Sequence, residues 1–149
     1  MIFADTSLLC ALYREQDNSP DADRLMKQKA GPVHVSSLVL FEFRQSTRFQ
    51  AFRFSKDRTQ GFSKQEAQRT LSILQANIAA GGLLIPPVEW QDVHNIAEKL
   101  SAQHTMTGGH RTLDVLHIAT ALHLKVKEFL SFDGNQAELA RAVGLKVKP

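Results

Sequence analysis

The sequence predicts an α/β fold: a three-layer α/β/α sandwich around a parallel sheet of about five strands. Three observations predict it. Short apolar runs of β type alternate with longer helical patterns along the whole chain. Glycine and proline stand between these runs as stops. The 149 residues carry no repeat, low-complexity tract or linker, which describes one domain, 1–149, able to bury a core without staples.

The elements follow in order. "MIFADTS" is a short apolar strand ending in polar residues, and Asp5 is a candidate N-cap for the helical "TSLLCALY". "DADRLMKQKA" reads as a helix stopped by Gly31-Pro32, and "VHVSS" as the second strand. "SLVLFEFRQSTRFQAFRF" is a long helix with Ser36 or Ser37 as N-cap, broken by Gly61. "SKQEAQRTLSILQANIAA" follows, with the Ser63–Glu66 spacing of a capping box. Gly81-Gly82 leads into the strand "LLIPP", and "EWQDVHNIAEKLSAQH" is the next helix. After Gly108-Gly109 comes the helical "RTLDVLHIATALHL", then the strand "EFLSFD", the helix "NQAELARAV" and, past Gly144, the strand "LKVK".

Parallel sheets of this kind have right-handed connections and bind ligands beyond the carboxyl ends of their strands. Four acids fall at that edge. Asp5 ends the first strand, and Asp133 ends "FLSF". Glu42 lies about two turns into the helix after the second strand. Asp114 opens a helix that is apolar or small at nearly every position from Leu113 to Leu124. A carboxylate entering such a core must be hydrogen-bonded, paired or metal-bound. Each acid alone has an ordinary explanation. Asp5 can cap its helix, Asp114 can favour the positive end of its own, Asp133 can start the "SFDGN" turn, and Glu42 can pair with Arg44 or Arg48. Four of them at one edge point to a site.

Composition narrows the chemistry. Cys10 is the only cysteine, which excludes an internal disulfide and a cysteine-based zinc cluster and fits a reducing compartment. No signal peptide and no apolar run of about 18 residues is present, so a cytoplasmic protein without membrane contact is expected. The net charge of +3 is unevenly spread. Acids dominate up to Leu25, whereas Arg44, Arg48, Arg53, Lys56, Arg58, Lys64 and Arg69 face only Asp57 and Glu66. This basic helical arm, at about 44–78, suits a polyanion such as RNA, with Arg44, Arg48, Arg53 and Arg58 as candidate contacts, or a solvated hairpin.

The motifs "ADTSLLCALY", "VSSLVLFEFRQ", "LDVLHIATALHL" and "FLSFDGNQAELARAVGLKV" resemble, in order, the acidic motifs of PIN-domain ribonucleases, with VapC-type toxins as the nearest likeness. The resemblance spans essentially the whole chain and implies a PIN-like domain. Its acidic quartet falls on Asp5, Glu42, Asp114 and Asp133. It implies a magnesium or manganese cofactor, an RNA substrate, a homodimer and a small antitoxin that blocks the site. It further implies Asp5 and Asp114 as metal ligands, Glu42 orienting or deprotonating the attacking water, and Asp133 completing the outer metal shell or holding a second ion. The arm from Arg44 to Ile78 is longer and more basic than is common in the family. Ser131 stands where relatives often carry threonine; its hydroxyl, like that of Thr6, is expected to hydrogen-bond a site carboxylate.

Elementary electrostatics agrees with the carry-over. Two unit charges about 4 Å apart repel by about 4 kcal/mol at an effective dielectric of about 20, so four converging carboxylates need a cation. Oxygen ligands without cysteine select magnesium or manganese over zinc or copper. The implied function is a metal-dependent endoribonuclease, the toxin of a type II toxin–antitoxin pair. The alternative is a non-catalytic RNA-binding or scaffold domain of the same fold.

A rival site is written in histidine. His110, Asp114 and His117 share one helical stripe, a spacing able to bind zinc if the helix starts early enough. Gly108-Gly109 argues for a later start, and His117 among apolar neighbours reads as a core histidine. Cys10 carries no thiolate signal. Phe41, Phe49 and Phe52 share a face that is either core or dimer surface, while Phe54 and Phe62 are candidates for base stacking or plain packing.

Overall fold

A computed structural model of the chain describes residues 1–29 and 31–149. Its strands β1 (Ile2–Ala4), β2 (Val33–His34), β3 (Leu83–Leu84), β4 (Glu128–Leu130) and β5 (Lys146–Lys148) form one parallel sheet in the order β3-β2-β1-β4-β5. The chain travels outward from β1 through β2 to β3, then returns to the opposite side of β1 for β4 and β5. That reversal makes the β1/β4 boundary the topological switch point.

Right-handed connections running in opposite directions put their helices on opposite faces. One group comprises α1 (Thr6–Tyr13), α2 (Ser19–Lys27), α3 (Ser37–Lys56) and α4 (Lys64–Ala79), packed on one another. The second comprises α5 (Trp90–Leu100), α7 (Thr112–His123) and α8 (Gly134–Ala142). A π-helical stretch, Ser101–Thr105, and the short α6 (Met106–Gly108) carry the chain from α5 to α7. The architecture is the three-layer sandwich that the strand–helix alternation predicts.

Local chemistry sets the boundaries. Ser36, rather than Ser37, caps α3, its hydroxyl oxygen accepting the Val39 N–H at 3.1 Å. Ser63 caps α4 by accepting the Glu66 N–H at 3.1 Å. Helix α2 starts at Ser19, ahead of the "DADRLMKQKA" run, because Pro20 fits the first turn, where a missing N–H costs nothing. Ala30, the last residue of that run, lies outside the described residues. Gly61 turns the α3–α4 hairpin at φ +66°, and a Cβ there would collide with the Gln50 carbonyl.

The core explains why β1 and β4 are apolar runs. Phe3 and Phe129, on adjacent strands, stack with ring centroids 6.1 Å apart, and both are fully buried. Leu8, Leu9 and Leu74 seal one face and Ile118 and Leu139 the other. Phe41, Phe49 and Phe52 are 60%, 52% and 53% exposed, so they are not core. Among the described residues no helix is long and apolar enough to cross a membrane.

Candidate active site

The two central strands deliver the first carboxylates. Asp5 follows β1, its N–H donating to the Leu130 carbonyl of β4 at 3.1 Å, which fixes it at the switch point. Its side chain is fully buried and caps α1. Oδ1 accepts the Leu8 N–H at 3.0 Å and the Ser7 hydroxyl at 2.7 Å; Oδ2 accepts the Ser131 hydroxyl at 2.6 Å. Burial pushes this carboxyl above its ordinary value, and the three hydrogen bonds and the nearby His117 pull against that rise.

Ser131, just past β4, links Asp5 to the next acid. Its oxygen accepts the Asp133 N–H at 3.0 Å while its hydroxyl donates to Asp5. Asp133 caps α8: Oδ1 accepts the Gln136 N–H at 3.0 Å. Gln136 also donates its side-chain amide to Asp114 Oδ1 at 3.2 Å, so one residue holds two carboxylates. Asp114, in the first turn of α7, is 5% exposed. Its Oδ2 accepts Arg111 Nε at 3.1 Å, and Arg111 Nη2 lies 3.5 Å from Asp133 Oδ2.

Glu42 comes from the other helical layer. It accepts the Thr6 hydroxyl, and its Oε2 lies 2.6 Å from His117 Nε2 on α7. A carboxylate only accepts, so the proton of this bond sits on Nε2. Burial acts to raise the Glu42 carboxyl, but the hydrogen bonds from His117 and Thr6, with the charges of His117 and Arg111, win and hold it below its usual value. The Glu42–His117 contact closes the two helical layers over the carboxyl edge of the sheet. Glu42, Arg111, Thr112, Leu113 and Asp114 line an open cleft of about 310 Å³ there. A larger cleft of about 720 Å³, with Arg14, Gln50, Phe54 and Phe62 in its walls, holds none of the quartet.

The edge thus gathers Asp5, Asp114 and Asp133 through Ser131, Gln136 and Arg111, with Glu42 beside them. Arg111, Gln136 and Ser7 escaped the sequence reading, as did the Glu42 partnership of His117. His117 is fully buried as a core residue should be, but its partner is Glu42. Its position three residues after Asp114, on the same helical face, was the available signal. The histidine stripe does not assemble: α7 starts at Thr112, and His110 bonds Asn135 instead.

The donors are all oxygens, which suits a hard divalent cation, and Asp114 and Asp133 already share one positive group, Arg111. No three His, Cys, Asp or Glu side chains among the described residues stand close enough to hold an ion together. The donor set fits the ion in kind.

Residues 2–142 match the PIN domain family, and the chain belongs to it. No curated protein matches the chain. Among solved structures it is similar to the sarcin-ricin loop cleaving toxin VapC20 of Mycobacterium tuberculosis, at 21% identity and TM-score 0.70 over 100% of both chains. FitAcB of Neisseria gonorrhoeae is 17% identical, with TM-score 0.63 over 100% of this chain and 97% of that one. VapBC2 of Rickettsia felis, bound to a DNA fragment from its promoter, is 16% identical with TM-score 0.63, covering 99% and 98%. At these identities the likeness is one of fold.

Proposed function

We propose that this PIN-domain protein is a magnesium- or manganese-dependent endoribonuclease, the toxin of a type II toxin–antitoxin pair. The observation that carries the reading is the linked set of Asp5, Asp114 and Asp133 at the switch point, with Glu42 held beside it by Thr6 and His117. The toxin of Mycobacterium tuberculosis with the same fold supports RNA as substrate, and the FitAcB and VapBC2 folds support an antitoxin partner. A homodimer and a cytoplasmic location belong to the same reading.

Asp5 and Asp114 would hold the ion, with Asp133 at its outer side. When bound, a divalent cation supplies charge stabilisation for the transferring phosphate and a more acidic water. The chain's residues supply the rest. Glu42, kept ionised by His117 and Thr6, orients the attacking water and takes its proton. Ser131 and Ser7 fix the Asp5 carboxylate, and Gln136 fixes Asp114. Arg44 and Arg48, on the same helix as Glu42 but off its face, would contact the RNA backbone away from the cleft.

The test is cleavage of a mixed RNA pool by purified protein with magnesium, with manganese and with EDTA. Cleavage is expected with either ion, to vanish with EDTA, and to return on adding magnesium without zinc. Asp5→Asn and Asp114→Asn are each expected to abolish it nearly completely. Cleavage that survives EDTA would overturn the mechanism, and binding without cleavage in any metal would leave the non-catalytic reading.

A further inference from the structure

Arg111 sits at the N-cap of α7, 74% exposed, yet its fork reaches two carboxylates of the quartet. Its backbone N–H, 3.4 Å from Asp114 Oδ2, serves the helix start, and the exposed side chain buries no apolar surface of note. A long side chain gives up conformational entropy to hold one geometry, and it does so here at the mouth of the cleft shared with Glu42. A guanidinium and a divalent ion cannot both neutralise the same pair of carboxylates.

We infer that Arg111 is an internal counter-cation: it occupies Asp114 and Asp133 in the metal-free protein, yields them to a divalent ion, and then turns its released fork to the RNA phosphate. The inference rests on the proposed nuclease reading and adds to it a positioning residue supplied by the toxin itself. Three physical points support it. The Arg111 guanidinium is 74% exposed although Asp114 is buried, so the cation keeps most of its hydration and an ion of double charge displaces it. The released side chain stays tethered at the cleft mouth by its own helix cap. Its planar fork matches phosphate as well as it matches carboxylate.

The predicted signature has two opposite signs. In Arg111→Gln, manganese binding without RNA, measured by titration calorimetry, is expected to tighten about fivefold, the scale of an ion pair whose cation is exposed. In a Glu42→Gln background that stops cleavage, binding of a short single-stranded RNA is expected to weaken on the same Arg111→Gln change with magnesium present. With EDTA that change should leave RNA binding unaltered, because Arg111 is then occupied. Arg111→Lys, which keeps the charge but loses the fork, is expected to restore the weaker metal binding and only part of the RNA affinity.

A merely structural arginine would weaken metal and RNA binding together and lower the melting temperature in every condition; that pattern overturns the inference. So does unchanged manganese affinity in Arg111→Gln. Failure of the underlying reading looks different: neither protein would bind manganese, and Asp114→Asn would change nothing, which removes both proposals at once.

Discussion

Asp5 and Glu42 titrate in opposite senses although both are carboxylates at one edge. Asp5 is pushed up by burial, so between its ordinary value of 3.8 and its raised one the native state keeps a proton that the unfolded chain has released. Stability therefore falls as pH rises through that window. Glu42 is held below its ordinary 4.5 by His117 and Thr6, so its contribution is complete above that value and is lost as pH falls through the lowered one. Thermal melts of EDTA-treated protein from about pH 3 to 8 are expected to show both slopes. Asp5→Asn should remove the loss on the rising side, and Glu42→Gln the loss on the acid side. An Asp5→Asn curve parallel to wild type would mean that burial is not what sets its titration. His117 is the next residue to test, because its Nδ1 is buried without a partner among the described residues and Nε2 spends its proton on Glu42. His117→Gln can still donate at that position and should keep part of the cleavage rate, while His117→Ala should lower the rate much further and move the acid limb of the residual pH–rate profile up toward the ordinary glutamate value. Equal rates in the two variants would reduce His117 to packing.

At the scale of elements, the α3–α4 hairpin carries the charge that composition singles out, but composition says nothing of how that charge is aimed. Helical periodicity puts Arg44 and Arg48 on one face and Arg53 nearly opposite. The structure gives Arg53 a partner, Gln60 Oε1 at 2.7 Å, and lays Arg58 over the Phe54 ring with 5.1 Å to its centroid. Arg14, just past the end of α1, reaches the Phe43 carbonyl, Ser46 and Thr47 on α3. That contact, between residues far apart in sequence, is why the orientation was not legible. Reversing Arg44 and Arg48 to Glu is expected to weaken RNA binding and cut the dependence of log K on log salt by about 0.7 per lost contact with a single strand. Reversing Arg53 and Arg58 should do less, because both are already engaged. Binding across a salt series decides it; an unchanged slope in the first variant would assign this face to solvent or to a protein partner. The other helices were legible for a simpler reason. Caps such as Ser36 and Ser63 act within three residues, and a local signal survives in a linear reading.

Over the whole molecule, the strand order places the ends of β1 and β4 side by side, and the two helical layers meet there through Glu42 and His117. The positions of Asp5 and Asp133 followed from sequence because strand ends are fixed by the sheet rule. The neutralisation of the cluster did not, because Arg111 acts through a fork reaching two different elements. The expectation from charge alone was an empty site of mutually repelling acids, whose repulsion Asp114→Asn would relieve. With Arg111 between Asp114 and Asp133, the metal-free protein is already compensated, so that substitution relieves no repulsion and should cost about 1 kcal/mol through the lost ion pair and helix start. The ion then reports the site. Magnesium at a hundredfold excess over its dissociation constant is expected to stabilise the wild type by about 2.7 kcal/mol, roughly 5–10 °C for a chain of this size. Asp114→Asn, lacking a charged ligand, should gain far less. If Asp114 served only its helix start and its ion pair, that cost would be the same and magnesium would move neither protein. Melts of both proteins in EDTA and in magnesium separate these outcomes, since the first predicts a difference that widens with the ion and the second a difference that the ion leaves unchanged.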